Sequence, residues 1–482
     1  MTASPRCARP YIGAARQRST PRRLLTRAAV VAALLSGGGC TLYHPHPLDE
    51  KASLPAGVEQ LLTQDAQRGD TARVHAVDPR DGLDLVEIGM LAAINDPDLV
   101  AARREAHVAG AQAFAAGLLP DPQLGFGIDR PTGDAAGLVD ARTLSLGYDI
   151  VPLITHQAAV DAARSAHTQV RLDLLWQEWQ TIQHAQMLAV RLGAEREQLR
   201  LLRELRDGND ARYRRSSRAL QRGDITLDVS GTDLAALVDT QSQINQLEQQ
   251  HNATRHALNL ALGLAPQAII ALAPLPPPAP LDAAAVQRQL RRLPQLRPDL
   301  RALQAGYASQ EARVRGAVLA QFPALGISVN RANDTSDVKT VGVSVSLNLP
   351  LFSGNRGNIA IERATRAQLH DAYSARLEQA RSEVDQLLAL QALLDGYRHT
   401  LDARLPQLQT LAQRARRAYA KGDIDAPAYL NIESTWVNKR LEQIRLRQSA
   451  WENRLALDTL LVLPAAAATT RPQAAAGAGG KP

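Results

Sequence analysis

Cys7 and Cys40 are the only thiols of this 482-residue chain, and no HExxH, GxSxG, P-loop or paired CxxC motif accompanies them. Zinc, acyl-transfer and phosphoryl chemistry thus have no candidate constellation, and no catalytic residue is assigned. His44 and His46 flank Pro45 and could bind a soft metal, but a site needs three or four ligands in fixed geometry. The pair reads as polar linker, and neither a metal nor a cofactor is expected. The other histidines are scattered without an i,i+4 pair, and Gly125-Phe126-Gly127 alternates as a strand does rather than opening a dinucleotide loop. What chemistry remains belongs to Cys40 and to two Gly-Asp-Ile triplets, and the elements that carry them decide its nature.

Cys40 follows seven arginines (Arg6, Arg9, Arg16, Arg18, Arg22, Arg23, Arg27), an apolar run from Ala28 to Leu35, and Ser36-Gly37-Gly38-Gly39. A positive n-region, a short h-region and a small-residue zone make a secretory signal, too short for a membrane span of about 20 residues. Cleavage discards Cys7, so Cys40 becomes the only cysteine and no intrachain disulfide can form. The site resembles a bacterial lipoprotein cleavage site, at which Cys40 is acylated, although Gly37 stands where that pattern prefers Leu. Removing the seven arginines from the chain's 55 basic residues leaves 48 against 48 acidic ones. A neutral remainder argues against a nucleic-acid surface.

The chain repeats itself. Pro97-Asp98-Leu99 recurs as Pro298-Asp299-Leu300, Pro122, Leu124, Gly125 and Arg130 recur as Pro323, Leu325, Gly326 and Arg331, and Arg222-Gly223-Asp224-Ile225 recurs as Lys421-Gly422-Asp423-Ile424. Order is kept at offsets of 201 and 199, too long a period for a solenoid and right for a duplicated half-domain. The expected organisation is a signal peptide (1–39), an extended N-terminal arm anchored by lipid (40–82), a first repeat (83–266) with a hairpin at 123–152, a Pro-rich connector (267–292), a second repeat (293–464) with a hairpin at 324–351, and a disordered tail (465–482).

Within each repeat the apolar period changes from helical to two. Leu124, Phe126 and Ile128, then Leu144, Leu146, Tyr148 and Ile150, alternate with small or polar residues; Leu325, Ile327 and Val329, then Val341, Val343, Val345, Leu347 and Leu349, repeat the scheme. Three of the four phenylalanines lie in or beside these hairpins. Each hairpin is followed by a stretch nearly free of proline, from Pro152 to Gly223 and from Pro350 to Gly422, long enough for a helix on the order of 105 Å. Gly223 and Gly422 fit the positive-φ position past a helix end, beside Arg222 and Lys421, and Thr226 and Asp425 can cap the returning helices. Leu234, Leu237, Gln241 and Ile244 on one returning helix, and Leu401, Leu405 and Leu408 elsewhere, step as coiled-coil seams do.

With these elements in order twice, from about Leu83 to Pro464, the chain resembles the TolC-like outer membrane factors. The resemblance implies a mainly α fold with a membrane β-barrel: four strands and a set of long helices per protomer, closed by a homotrimer into a twelve-stranded barrel above an α-helical barrel in the periplasm. It implies an outer membrane efflux or export channel that passively conducts substrates from an inner-membrane transporter and a periplasmic adaptor. Open strand edges cannot stand in hydrocarbon, and four strands are too few for a barrel, so chains must share one sheet if the strands are in lipid. Leu124, Phe126, Ile128, Leu144, Leu146, Tyr148, Ile150, Leu325, Ile327, Val329, Val343, Val345, Leu347 and Leu349 would then face outer membrane lipid. On matching positions the adaptor-contacting tips are Arg222, Gly223, Asp224, Ile225, Lys421, Gly422, Asp423 and Ile424, with Asp425 and Glu433 as candidate gate acids. The competing reading is a lipid-anchored periplasmic adaptor or coiled-coil scaffold without a pore, which leaves the four strands unexplained.

Overall fold

The structure, a computed structural model, describes residues 43–48, 54–68, 77–132 and 137–462. The signal peptide, Cys40 and the tail from 465 lie outside the described residues. Residues 43–48, which include His44 and His46, form no regular structure and are exposed.

The arm is not extended throughout. Helix α1 (Val58–Arg68) buries Val58 and Leu61 against Leu83, Ile88 and Leu188, because Val58, Leu61 and Leu62 share one helical face. The chain then returns beside the connector, Leu83 exchanging backbone hydrogen bonds with Ala271 and Ala273. Gly82 makes that approach possible: its φ is +87°, and a Cβ would fall 2.9 Å from the Ala273 amide.

The first repeat runs α2 (Leu85–Asn95), α3 (Pro97–Ala116), β1 (Gln123–Asp129), β2 (Ala141–Asp149), α4 (Val151–Gln221) and α5 (Leu227–Ala261). Asp84 and Glu87 form a reciprocal capping box on α2, and Asp96 accepts from the Leu99 amide to open α3. The second repeat runs α6 (Ala283–Leu296), α7 (Pro298–Leu319), β3 (Ala324–Asn333), β4 (Lys339–Asn348), α8 (Arg356–Lys421) and α9 (Ala426–Leu460). At 1.5 Å per residue α4 is about 107 Å long and α8 about 99 Å.

Three local expectations change. Helix α6 begins inside the stretch assigned to the connector, because Asp282 caps Ala284 and Val286 and Leu293 make a buried face. Helix α8 starts six residues after Pro350, since Gly354 and Asn355 take positive φ (48° and 56°), and the Asn355 amide donates to the Ala317 carbonyl. Thr226 stands at the N-cap of α5 without making the cap bond; its hydroxyl bonds Asp228 instead, which holds that carboxylate below its ordinary pKa.

Helix α4 is the spine, packing on α3, α5, α7 and α9. One apolar core joins α1, α2, α4 and α5 around Ile88, Leu91, Leu192, Leu258 and Leu262. Its counterpart in the second repeat joins α6, α8 and α9 around Val286, Val384, Leu457 and Leu461. Leu199, Leu202, Ile244, Leu247, Val437 and Leu441 form a third core in which α4, α5 and α9 bind the two repeats together.

Candidate functional site

Two features stand at opposite ends of the long helices: a four-stranded sheet and a pair of helix turns. The sheet is antiparallel in the order β1-β2-β3-β4. Its register settles which residues share a face. Leu124 lies beside Leu146, Leu146 beside Val329, and Val329 beside Val343; toward the helices, Tyr148 lies beside Ile327, Ile327 beside Val345, and Leu325 beside Leu347. The opposite face reads Gly125, Ser145, Asn330 and Gly342 in one row and Gly127, Thr143, Ala332 and Thr340 in another. Every paired strand position expected to be apolar therefore falls on one face, with Ile150 and Leu349 just past the strand ends, and small or polar residues fall on the other.

That apolar face is uncovered in the single chain. Leu124 is 72% exposed and Val343 71%. Burial of a Val, Leu, Ile or Phe side chain is worth about 1.5–3 kcal/mol, so leaving a dozen in water forfeits tens of kcal/mol and demands a cover. Below the sheet, at the helix ends, Phe114, Leu118, Leu119, Phe322, Leu351 and Phe352 continue the exposed apolar surface. All four phenylalanines of the chain are thus exposed, and core packing does not account for them. Among the described residues no helix is long and apolar enough to cross a membrane.

At the far end both turns have the same hydrogen bonding. Gly223 donates to Leu220 and Asp224 to Ala219; Gly422 donates to Tyr419 and Asp423 to Ala418. These close Schellman-type ends, with Gly223 at φ +78° and Gly422 at φ +81°. A Cβ on either would meet nothing within 4 Å, so conformation and not crowding requires glycine there. Arg222, Gly223, Asp224, Lys421, Gly422 and Asp423 are exposed, and Ile225 and Ile424 are half-buried. Arg222 pairs with Asp224 across the first turn at 2.7 Å. Asp425 caps α9 by accepting from the Ala428 amide at 2.9 Å.

Behind the turns lies a polar knot that the apolar pattern does not announce. Arg212 on α4 is 3% exposed and pairs with the fully buried Asp233 on α5 at 2.8 Å. It also donates to Asn209, which donates in turn to Thr240. Glu433 on α9 lies 3.6 Å from Arg212 and 2.9 Å from Arg416 on α8, so one carboxylate bridges both repeats. Tyr429 stacks on Tyr419 with centroids 4.9 Å apart, and the Arg212 guanidinium sits over its ring. Burial, with a hydrogen bond to Glu433, pushes the Tyr429 phenol up to about 12, so it stays protonated. Asp425 is thus engaged as a cap and Glu433 in ion pairs within the chain.

Sequence reasoning passed over Arg212, Asn209 and Asp233. The seam of α5 runs through Ser230, Asp233, Leu237, Thr240, Ile244 and Leu247, in steps of three and four, whereas Leu234 is exposed. Its tip half is polar, and only the period marked it.

The outer membrane efflux protein family matches residues 290–461, which span the second repeat. No curated protein matches the sequence. Among solved structures, the CmeC outer membrane channel of Campylobacter jejuni is similar, with 16% identity, a TM-score of 0.69, and 87% of this chain and 93% of that one covered. The Neisseria gonorrhoeae MtrE outer membrane channel in its open state gives 15%, 0.63, 88% and 98%. The outer membrane protein VceC of Vibrio cholerae gives 18%, 0.64, 78% and 95%. At these identities the likeness is one of fold, and it extends over both repeats.

Proposed function

We propose that the protein, whose residues 290–461 match the outer membrane efflux protein family and whose chain shares the fold of outer membrane channels of known structure, is the outer membrane channel of a tripartite efflux or export system, passively conducting substrates delivered by an inner-membrane pump. The observation that carries this reading is the sheet register. It gathers the apolar side chains on one face and Gly, Ser, Thr and Asn on the other, at the end of helices about 100 Å long. In lipid, β1 and β4 cannot keep open edges. Three copies close twelve strands, with the apolar face outward and the hydroxyl-rich face around water.

The helices then form the periplasmic conduit, and the tips at Arg222–Ile225 and Lys421–Ile424 meet the adaptor. Acylated Cys40 anchors the start of each protomer in the outer membrane. Asp425 bears on gating by capping α9, and Glu433 by bridging the tip helices, rather than by offering free carboxylates to the channel. A scaffold without a pore gives the uncovered face no purpose.

The test is membrane fractionation of the full-length protein and a Cys40→Ser variant, followed by unheated gel electrophoresis and planar-bilayer conductance. The expected result is a conducting trimer from the outer membrane, with the variant losing only the lipid mass. A water-soluble, non-conducting Cys40→Ser protein would overturn the channel reading.

A further inference from the structure

The loop end of the sheet carries charge on its apolar face. The last row on that face reads Ile128, Arg142, Asn333 and Lys339, and the row before it places Arg331 between Leu144 and Val341. Side chains alternate along a strand, so Arg142, Arg331 and Lys339 share the face of Leu124, Val329 and Val343 and point outward with them. Arg331 is the diagonal neighbour of both other cations, about 7–8 Å away between Cα atoms, and Arg142 and Lys339 stand two strand spacings apart, about 10 Å.

All three are exposed, and among the described residues none has an ion pair or a side-chain hydrogen bond. The nearby carboxylates are otherwise engaged or placed. Asp140 is held by Arg130 at 3.3 Å, Asp334 accepts the Ser336 and Val338 amides of its own turn, Asp129 falls on the opposite face, and Asp337 lies in the loop beyond Asn333. Asn333, opposite both Arg142 and Lys339, leaves its Oδ1 without a hydrogen-bond partner. The other end of the face is bounded by Leu349, Leu351, Phe352 and Phe322. Cations thus gather at one boundary of the apolar band and apolar groups at the other.

We propose that Arg142, Arg331 and Lys339 form an outward-facing site for the phosphates of the phosphorylated glycolipid in the outer leaflet. The proposal rests on the channel reading and adds a lipid class to it. A cation on a lipid-facing strand is tolerated near the boundary, where an anionic headgroup can pair with it, and arginine takes phosphate through two parallel N–H bonds. Three unpaired cations converging on one edge of the band fit a multiply charged headgroup better than a zwitterionic one.

The experiment uses the full chain, extracted in neutral detergent, with binding measured by native mass spectrometry to diphosphorylated lipid A, dephosphorylated lipid A and phosphatidylglycerol. Wild type should prefer the diphosphorylated form over the dephosphorylated one by about tenfold. Arg142→Gln/Arg331→Gln/Lys339→Gln should lose that preference, and Arg142→Lys/Arg331→Lys should keep most of it. Absence of the preference in wild type, which needs no variant to fold, would overturn the site, as would its survival in the triple Gln variant. Equal affinity for phosphatidylglycerol would overturn the outer-leaflet assignment in favour of lipid phosphate at large. Unheated gels and conductance on the same material separate the two readings: a conducting trimer without lipid preference sinks the site alone, and a non-conducting chain sinks the channel.

Discussion

At the scale of residues, burial decides which charges matter. Arg222 and Asp224 pair at 2.7 Å but are 66% and 54% exposed, so the pair is worth at most about 1 kcal/mol. Arg212 and Asp233 meet at a similar distance with side chains 4% and 0% exposed, and loss of either partner strands a charge away from water. Arg212→Ala is expected to cost about 3–5 kcal/mol in chemical denaturation, and Arg212→Ala/Asp233→Ala to cost less than Arg212→Ala alone. A loss in the double variant equal to the sum of the Arg212→Ala and Asp233→Ala losses would show that the pair is not coupled. A second prediction concerns His251, whose Nδ1 lies 3.5 Å from Glu195 Oε2. Burial first, then the guanidiniums of Arg196, Arg255 and Arg203, push its pKa below 6.5, with Glu248 opposing. The unfolded chain then takes the proton first, so this stability is complete above about pH 6.5 and is lost as pH falls toward the folded value. Glu195, raised above 4.5 by burial, works in the opposite sense at lower pH, which confines the clean window to about pH 7 to 6. Across it, the melting temperature of His251→Gln should fall less than that of wild type; parallel declines would remove His251 as the cause.

At the scale of elements, the strands show how one residue step reverses a side chain's surroundings. Val345 lies midway along the apolar face of β4 and Ser346 on the face behind it. Val345→Arg should cost about 2–4 kcal/mol and reduce the folded, heat-resistant form in outer membranes, whereas Ser346→Lys should leave assembly intact and alter conductance. Similar assembly defects in both would contradict the assignment of faces. The turns obey a different rule. Gly422 sits at φ +81° with open space around it, so Gly422→Ala should destabilise the tip by about 1–2 kcal/mol and Gly422→Asn by less, read as faster proteolysis at the turn. Both features were legible in advance because each rests on a local signal, alternation in one case and a glycine after a basic residue in the other. Helix α1 and the start of α6 were not legible: a short apolar face such as Val58 and Leu61, or Val286 and Leu293, means little until a partner surface exists. Asp233 and Thr240 were hidden for the complementary reason, since a polar residue in a helical seam has the composition of a solvated one.

At the scale of the whole molecule, the duplicated chain builds half of every contact twice and leaves two strand edges. Within one chain β1 and β4 are separated by β2 and β3, which places their backbones about 14 Å apart, beyond the 4.4–6.8 Å between Cα atoms that a disulfide spans. Any disulfide between an engineered cysteine on β1 and another on β4 must therefore join two copies. The inward-facing positions suit the test, since they are small and lie away from lipid: Gly127 on β1 against Thr340, Gly342, Ser344 or Ser346 on β4. In a Cys40→Ser background, Gly127→Cys should be combined with Thr340→Cys, Gly342→Cys, Ser344→Cys and Ser346→Cys in turn, and the protein oxidised in outer membranes. One of the four registers should cross-link strongly and its neighbours weakly, because a residue slip of two moves the partners by about 7 Å. The edge contact is head-to-tail, so the size of the product reports the symmetry. Closure gives dimers and trimers on a non-reducing gel and nothing larger, whereas an open contact gives a ladder without limit. No cross-link in any register would mean that the edges are covered by something other than a second copy, and the shared barrel would have to be abandoned.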